Sequence, residues 1–213
     1  MRRRSGVAAI VLAAGAGSRF GGGKLLAKLD GVPLVEHVLG ALERASVDET
    51  VVVVGADAEK LREVCEPYGA RIVENPAWAG GQSTSVRTGL EALGPAARAA
   101  VVLLGDQPLV GAGAVERLVE AFEEGADVAV ATYGGRRRNP VLFSRDVWPS
   151  LLEDLSGDEG ARGFLRRRPE LVVEVPCDGV GDPADVDTVE DLERVRRLGV
   201  PRGREHSSKV GHK

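Results

Sequence analysis

Two cationic side chains lie in a loop that is rich in glycine. Arg19 and Lys24 fall within residues 15–24, which contain five glycines and follow the apolar run of residues 7–12. Glycine lets backbone amides approach an anion closely, and the two cations add full positive charge beside those amides. The spacing predicts a site for a polyphosphate, and therefore for a nucleotide.

Two familiar phosphate-binding loops do not fit this stretch. A P-loop needs a glycine where Ser18 stands and a Ser or Thr where Leu25 follows the lysine. The dinucleotide fingerprint needs its third glycine where Phe20 stands. A dinucleotide-dependent oxidoreductase is therefore the least favoured class.

Carboxylates occur at two later points where a cation could be held. Asp106 directly follows the apolar run of residues 99–104, and a hard cation such as Mg²⁺ takes one or two carboxylates plus phosphate oxygens. Capping of a proline-containing turn is the alternative role for Asp106. Asp185 and Asp187 alternate on an extended segment and can face one side, while Asp187 and Thr188 also suit a helix start.

Polar loops elsewhere offer further contacts. Residues 75–85 place hydroxyl and amide groups before a predicted helix, where they suit an anion or a base edge; Ser83 is also expected to cap that helix. Residues 155–162 form a second glycine-containing loop, in which Arg162 suits a phosphate. Arginines 136–138 could meet an anionic substrate or form a solvated hairpin tip.

Composition describes an ordinary globular protein. Hydrophobic residues make up 43% of the 213 residues, charged residues 28%, and the net charge is −4. An acidic balance does not support binding to nucleic acid or to an anionic membrane, and no apolar stretch is long enough to span a bilayer. Cys65 and Cys177 show no metal-binding or disulfide pattern, so we expect buried thiols and a cytoplasmic protein.

Strand-like and helix-like segments alternate along the chain, which predicts an α/β fold: a doubly wound, mostly parallel Rossmann-like sheet in three αβα layers. The second half is less regular and is expected to make the sheet mixed. Predicted strands cover residues 7–12, 50–54, 71–73, 99–104, 128–131, 141–143 and 171–175. Predicted helices cover residues 33–45, 58–66, 83–93, 114–124, 145–152, 160–167 and 188–198. We expect one domain over residues 1–200 and a disordered tail over 201–213.

Residues 12–24 resemble the L-A-[AG]-G-x-G-x-R-x-G-G-x-K signature of the MobA-like nucleotidyltransferase family. Four further family motifs follow in order: P-x-[WY]-x-x-G-x-x-x-S, G-D-x-P, G-x-x-x-[GHN]-P-V-L-[FW] and L-x-G-D-x-G-A-R. The segment from Asp185 to Leu192 is similar to D-[IV]-D-T-P-E-D-L, with Val189 in place of the usual proline. The resemblance is closest to molybdenum cofactor cytidylyltransferases of the MocA type.

The resemblance implies transfer of CMP from CTP to the phosphate of molybdopterin cofactor, with Mg²⁺ as cofactor. It implies a nucleotide-binding half over residues 6–110 and an acceptor-binding half over 111–200. The implied catalytic residues are Arg19, Lys24 and Asp106, and the implied metal ligands are Asp106 and Asp185, with Asp187 as structural or alternative ligand. The implied nucleotide contacts are Leu12, Ala13, Ala14, Gly15, Gly17, Ser18, Lys24, Asn75, Gly81 and Ser85. The implied acceptor contacts are Asn139, Pro140, Asp158 and Arg162.

Several alternatives remain open from the sequence. The donor can be GTP rather than CTP, although Ala14 favours CTP by family resemblance. The acceptor can be another small phosphorylated molecule, such as phospholactate, phosphoenolpyruvate or a sugar phosphate. A catalytically silent nucleotide sensor, or a chaperone that hands cofactor to a molybdoenzyme, is the rival from a different class.

Overall fold

The computed structural model describes residues 5–199. The tail expected over residues 201–213 lies outside the described residues. The strands are β1 (Val7–Ala13), β2 (Lys28–Leu29), β3 (Val32–Pro33), β4 (Glu49–Val54), β5 (Arg71–Glu74), β6 (Ala99–Leu104), β7 (Val128–Tyr133), β8 (Arg136–Ser144) and β9 (Val172–Pro176). The helices are α1 (Leu34–Leu42), α2 (Ala58–Cys65), α3 (Gln82–Ala92), α4 (Ala112–Glu123), α5 (Trp148–Asp154), α6 (Arg162–Arg167) and α7 (Val189–Leu198).

Seven of the strands form one sheet in the order β5-β4-β1-β6-β8-β7-β9. β1 pairs in parallel with β4 and β6 on its two sides, and only β8 runs antiparallel to its neighbours. Strands β1 and β6 are entirely apolar and β4 is apolar from Val51 to Val54, as expected where both faces of the sheet are covered. The predicted doubly wound, mixed but mostly parallel sheet is confirmed.

Two apolar cores lie on opposite faces of this sheet, as the alternation of side chains along a strand requires. One face packs against α1, α2 and α4, and the other against α3, α5 and α6. A third, smaller core joins α7 to the start of α1 and includes Phe20 from the glycine loop. The fold is therefore three-layered, with α7 fastened beside the loop that follows β1.

Some local structure departs from the predictions. The hairpin of β2 and β3 was not predicted; it turns at Asp30 and Gly31, whose φ values are 52° and 87°. The strand predicted over residues 141–143 extends back to Arg136, since its cross-strand partner β7 continues to Tyr133. Both cysteines are buried free thiols, as expected. None of the helices within residues 5–199 has the length and apolarity needed to cross a bilayer.

Candidate active site

The glycine loop turns back over the end of β1 and brings Lys24 to the sheet edge. Gly17 has a φ of 60°, and a side chain there would start 2.8 Å from Lys24 Cβ, so only glycine fits without strain. Phe20 and Leu25 anchor the loop, Phe20 in the small core and Leu25 in the core beneath α1. Phe20, which stands where the dinucleotide fingerprint needs a glycine, is therefore an apolar anchor of the glycine loop.

Four charged side chains meet at the carboxyl ends of β1 and β6, and we call them the charge cluster: Arg19, Lys24, Asp106 and Asp187. Lys24 Nζ donates to Asp106 Oδ2 at 2.7 Å and to Asp187 Oδ1 at 2.9 Å. Arg19 Nη1 lies 3.0 Å from Asp187 Oδ2. Lys24 is only 13% exposed, whereas Arg19 is 74% exposed. Residues far apart in sequence thus converge where ligands bind in open α/β sheets.

Residues 182–187 cross the turn that follows β6 and are hydrogen-bonded to it, which places Asp187 beside Asp106. Val186 N donates to Asp106 O at 3.0 Å, and Asp182 N donates to Leu109 O at 3.0 Å. The side chain of Gln107 adds a third tie, donating to Pro183 O at 3.0 Å.

A capping box at the start of α7 fixes the C-terminal end of the segment of residues 182–187. Thr188 Oγ1 accepts from Asp191 N, and the carboxylate of Asp191 accepts from Thr188 N. The helix start predicted at Thr188 is confirmed.

Burial and the charge of the partner side chain shift the pKa values of Asp106 and Lys24 in opposite directions. Burial raises the pKa of Asp106, Lys24 lowers it, and Asp185 and Asp187 raise it, so the net shift is upward. Burial lowers the pKa of Lys24, but Asp106 and Asp187 outweigh it, and the net shift is again upward. The ammonium is therefore held in its charged form against two carboxylates.

Asp106 retains bonding capacity that protein atoms do not use. Its Oδ1 is buried and has no hydrogen-bond partner among the described residues. An unsatisfied buried carboxylate oxygen is costly, and carboxylates are ligands that Mg²⁺ prefers. Within residues 5–199, no group of three or more His, Cys, Asp or Glu side chains is arranged to hold a metal. Mg²⁺ bound by one or two carboxylates takes its remaining ligands from phosphate and water, so the carboxylates here fit such an ion.

A cavity of about 440 Å³ opens beside the charge cluster. Asp185 and Gln107, which adjoin Asp187 and Asp106 along the chain, line the cavity together with Leu12, and Arg138 and Arg162 also line it. Its apolar lining is formed by Val86, Val102, Leu104, Val130, Val141, Phe143 and Leu165. Neither Arg138 nor Arg162 forms an ion pair with any side chain in the described part of the chain. The space suits a molecule with an apolar body and an anionic group.

The loop of residues 75–85 is held by its own hydrogen bonds. Asn75 is 2% exposed and its Nδ2 donates to Thr84 Oγ1 and Ser85 Oγ at 2.8 and 3.0 Å. Helix α3 begins at Gln82, with Gly81 at its N-cap and no capping side chain. The expectation that Ser83 caps this helix is wrong, because Ser83 lies inside α3 and is buried.

Glycines allow close contact between the loop before α3 and the loop before α6. A side chain at Gly81 would start 2.5 Å from Gly157 C and 2.6 Å from Asp158 Oδ1, and φ at Gly81 is 101°. A side chain at Gly160 would start 2.6 Å from Gln82 Oε1. The motif glycines therefore allow the loop before α3 and the loop before α6 to meet.

The structure brings together many of the residues singled out from the sequence. Arg19, Lys24 and Asp106 form the charge cluster with Asp187, while Asp185 lines the cavity along with Leu12, Asn139 and Arg162. Ala13 and Ala14 are buried where β1 ends, Gly15 and Ser18 are exposed on the loop, and Pro140 lies in β8.

Among the polar residues that line the cavity, Gln82, Gln107 and Glu159 were not selected from the sequence as site residues. Gln107 acts through a hydrogen bond to Pro183 in a distant segment, which no local sequence pattern indicates. Only the position of Gln107 directly after Asp106 could have drawn attention to it.

An αβα sheet with a cationic glycine loop and a carboxylate at the end of the neighbouring strand is an arrangement that suits a nucleotide-dependent transferase. Residues 9–172 match the family model of the MobA-like NTP transferase domain, and the chain belongs to this family. The predicted family and enzyme class, a nucleotidyltransferase, are confirmed.

Similar proteins span nearly the whole chain. The chain is 35% identical over 199 residues to nicotine blue oxidoreductase of Paenarthrobacter nicotinovorans, covering 89% of this chain and 96% of that protein. The structure of the rv0371c homologue from Mycobacterium sp. strain JC1 has a TM-score of 0.81 and 33% identity, over 92% of this chain and 98% of that one. Rv0371c of Mycobacterium tuberculosis H37Rv in complex with manganese has a TM-score of 0.78 and 27% identity, over 90% and 97%.

Proposed function

We propose that the chain transfers CMP from CTP to the terminal phosphate of molybdopterin cofactor and releases pyrophosphate. The observation that carries this proposal is the contact of Lys24 with Asp106 and Asp187 beside a cavity of about 440 Å³. The groups proposed to bind phosphate and metal therefore lie together, next to the cavity proposed for the acceptor.

Transfer needs little covalent chemistry from the protein. A phosphate oxygen of the acceptor attacks the α-phosphorus of CTP, a new phosphorus–oxygen bond forms, and the bond to the departing pyrophosphate breaks. Catalysis then depends on in-line positioning and on neutralising charge. Arg19 and Lys24 bind the triphosphate and offset the charge of the leaving pyrophosphate.

Asp106 and a second carboxylate hold a divalent ion in this proposal. Mg²⁺ supplies charge neutralisation of the triphosphate when it is bound. Asp185 is the second ligand that the family resemblance implies, and Asp187 is the alternative, since it already lies with Asp106 around Lys24. The manganese complex of the similar Rv0371c supports a divalent ion of this kind.

In this proposal the base and the acceptor occupy adjacent parts of the cleft, because Leu12 also lines the cavity. Main-chain groups of Leu12, Ala13 and Ala14 meet the cytosine, and the loop glycines 15 and 17 with Ser18 meet the phosphates. Further nucleotide-side residues are Asn75, Gly81 and Ser85, whose internal contacts favour a role in shaping the loop. Arg162 binds an anionic group of the acceptor, and Asn139, Pro140 and Asp158 form the surrounding wall. We place the protein in the cytoplasm, handing its product to a molybdoenzyme.

One assay tests this proposal. Purified protein is incubated with molybdopterin cofactor, Mg²⁺ and each of CTP, GTP, UTP and ATP, and pyrophosphate and the acceptor's mass are measured. We expect pyrophosphate with CTP and a product heavier by one CMP. Turnover with another nucleotide or acceptor would correct the substrate, and nucleotide binding without turnover would favour the silent sensor or chaperone.

Oxidoreduction is a second candidate, favoured by the full-length similarity to nicotine blue oxidoreductase. The apolar floor of the cavity could accommodate an aromatic compound. Phe20 in place of a fingerprint glycine weighs against a bound dinucleotide. Consumption of reduced nicotinamide cofactor in the presence of a quinonoid dye, with no pyrophosphate from any nucleotide, would favour this candidate over transfer.

A further inference from the structure

One ammonium group satisfies the two carboxylates that face each other across the charge cluster. Lys24 Nζ lies 2.7 Å from Asp106 Oδ2 and 2.9 Å from Asp187 Oδ1, and all three side chains are at least three-quarters buried. A cation held between two carboxylate oxygens fills the position that a divalent ion needs. Asp106 Oδ2 cannot accept a strong hydrogen bond from Lys24 Nζ and coordinate a metal ion at the same time.

We propose that Lys24 stands in for the metal while the nucleotide is absent, and that triphosphate binding draws Lys24 away and opens the metal site. The proposal rests on the proposed function, because it takes the triphosphate as the ligand of Lys24 and Asp106 as the ligand of the metal. It adds a property that transfer chemistry does not require: nucleotide and metal bind with strong positive coupling.

Charge in the cluster gives the reason for this coupling. Arg19 and Lys24 carry two positive charges, which offset the negative charges of Asp106 and Asp187, and Asp185 adds a third carboxylate that acts on Asp106. A dication that binds Asp106 Oδ2 and Asp187 Oδ1 meets Lys24 there and must displace it from both hydrogen bonds. A triphosphate brings several negative charges, which offset the dication and give the displaced ammonium a new partner.

The local geometry confines the change to one side chain. The contact with Gly17 and the burial of Leu25 fix the backbone at Lys24, while the lysine stem has four flexible carbons. Asp106 is held at its backbone by Val186 N, so its carboxylate stays at the end of β6 when Lys24 leaves. Asp106 Oδ1, which is buried and has no partner among the described residues, is a second oxygen available to the incoming ion.

Manganese titration tests the proposal without turnover. Free Mn²⁺ is measured by electron paramagnetic resonance as it is added to nucleotide-free wild-type protein, Lys24→Met, Lys24→Arg and Lys60→Met. Lys60 is exposed on α2, so Lys60→Met makes the same change in net charge away from the cluster. We expect Lys24→Met to bind Mn²⁺ roughly tenfold or more tightly than wild type. Lys24→Arg and Lys60→Met should stay near wild type.

A second titration uses wild-type protein alone, so that it stands even where Lys24→Met fails to fold. A non-hydrolysable CTP analogue should tighten Mn²⁺ binding by roughly tenfold or more, after correction for metal bound by the analogue itself. Equal Mn²⁺ affinity with and without the analogue, or Mn²⁺ binding by Lys24→Met no tighter than wild type, would overturn the proposal. Coupled binding without pyrophosphate release would overturn the transfer reaction and leave the role of Lys24 standing.

Discussion

The charge cluster and the cavity beside it differ in how their charges are satisfied. In the cluster, each cation has a carboxylate partner within 3.0 Å. In the cavity lining, Arg138 and Arg162 have no carboxylate partner in the described part of the chain, and most of the other lining residues are apolar. The cations of the charge cluster are therefore already paired, while the cavity presents guanidinium groups that a ligand can neutralise.

The contrast separates two tasks. Lys24, Asp106 and Asp187 are paired and mostly buried before substrate arrives, so the groups proposed to meet the reacting phosphate and its metal are already gathered in one place. Unpaired guanidiniums at a cavity wall gain their partner only from a bound anion, which is the basis for proposing that they select the acceptor. We therefore expect substitutions in the cluster to affect the chemical step and substitutions at the cavity to affect acceptor binding.

The largest effect is expected in the cluster. Lys24→Ala or Asp106→Ala should lower turnover by about a thousandfold or more, because each removes charge that stabilises the reacting triphosphate. The measurement is steady-state pyrophosphate release by proteins shown to be folded by circular dichroism. Near-normal turnover in either folded variant would break the distinction between the two regions.

A smaller and more selective effect is expected at the cavity. Arg162→Ala should raise KM for the acceptor about tenfold to a hundredfold, because it removes a charge-assisted hydrogen bond, while Kd for the nucleotide stays unchanged. Arg168→Ala is the matched control, since Arg168 is exposed at the end of the same helix and does not line the cavity. An equal loss of nucleotide affinity in Arg162→Ala would show that the two regions are not separate.

The capping box of α7 tests how the cluster is supported. Thr188→Ala should lower the free energy of unfolding by about 1 kcal/mol, because it removes the hydrogen bond to Asp191 N. Thr188→Ser keeps the hydroxyl and should stay close to wild type. Chemical denaturation measures both variants, and equal loss in the two would mean that the methyl group rather than the cap is responsible.

The smallest effect is a pH dependence at the same cap. Hydrogen bonds from Arg194, Asp187 N and the Thr188 backbone and hydroxyl lower the pKa of Asp191 to about 2 from its usual 3.8. A lowered carboxylate pKa stabilises the fold above pH 3.8, and this contribution is lost as the pH falls towards 2. Asp191→Asn should lack this part of the acid dependence in thermal melts. Asp57→Asn, at a helix start where the side chain makes no capping hydrogen bond, is the control.

The sequence predicted the sheet and the cluster well because both depend on local signals. Apolar runs bounded by glycine identify strands such as β1 and β6, and ligand-binding groups in α/β proteins follow the strand ends. Arg19, Lys24 and Asp106 stand at such points, so their meeting could be expected before the structure was known. The start of α7 was likewise readable from Thr188 and the acidic residues after it.

What the sequence missed depends on contacts between distant segments. The tie from Gln107 to Pro183 spans 76 residues, and no local pattern encodes it. Gly81 displaces Ser83 as the N-cap of α3 because the loop must pass close to Gly157, which a side chain would prevent. The pairing of Asp187 rather than Asp185 with Lys24 is also set by how residues 182–187 cross the turn after β6.

The most direct test is a crystal structure with Mn²⁺ and a non-hydrolysable CTP analogue, in which anomalous scattering locates the metal. We predict one manganese peak bound to Asp106 and to the triphosphate, with the Lys24 ammonium moved onto the phosphates. A triphosphate bound elsewhere, or manganese away from Asp106 with Lys24 still paired to it, would contradict a shared site for lysine, carboxylate and nucleotide.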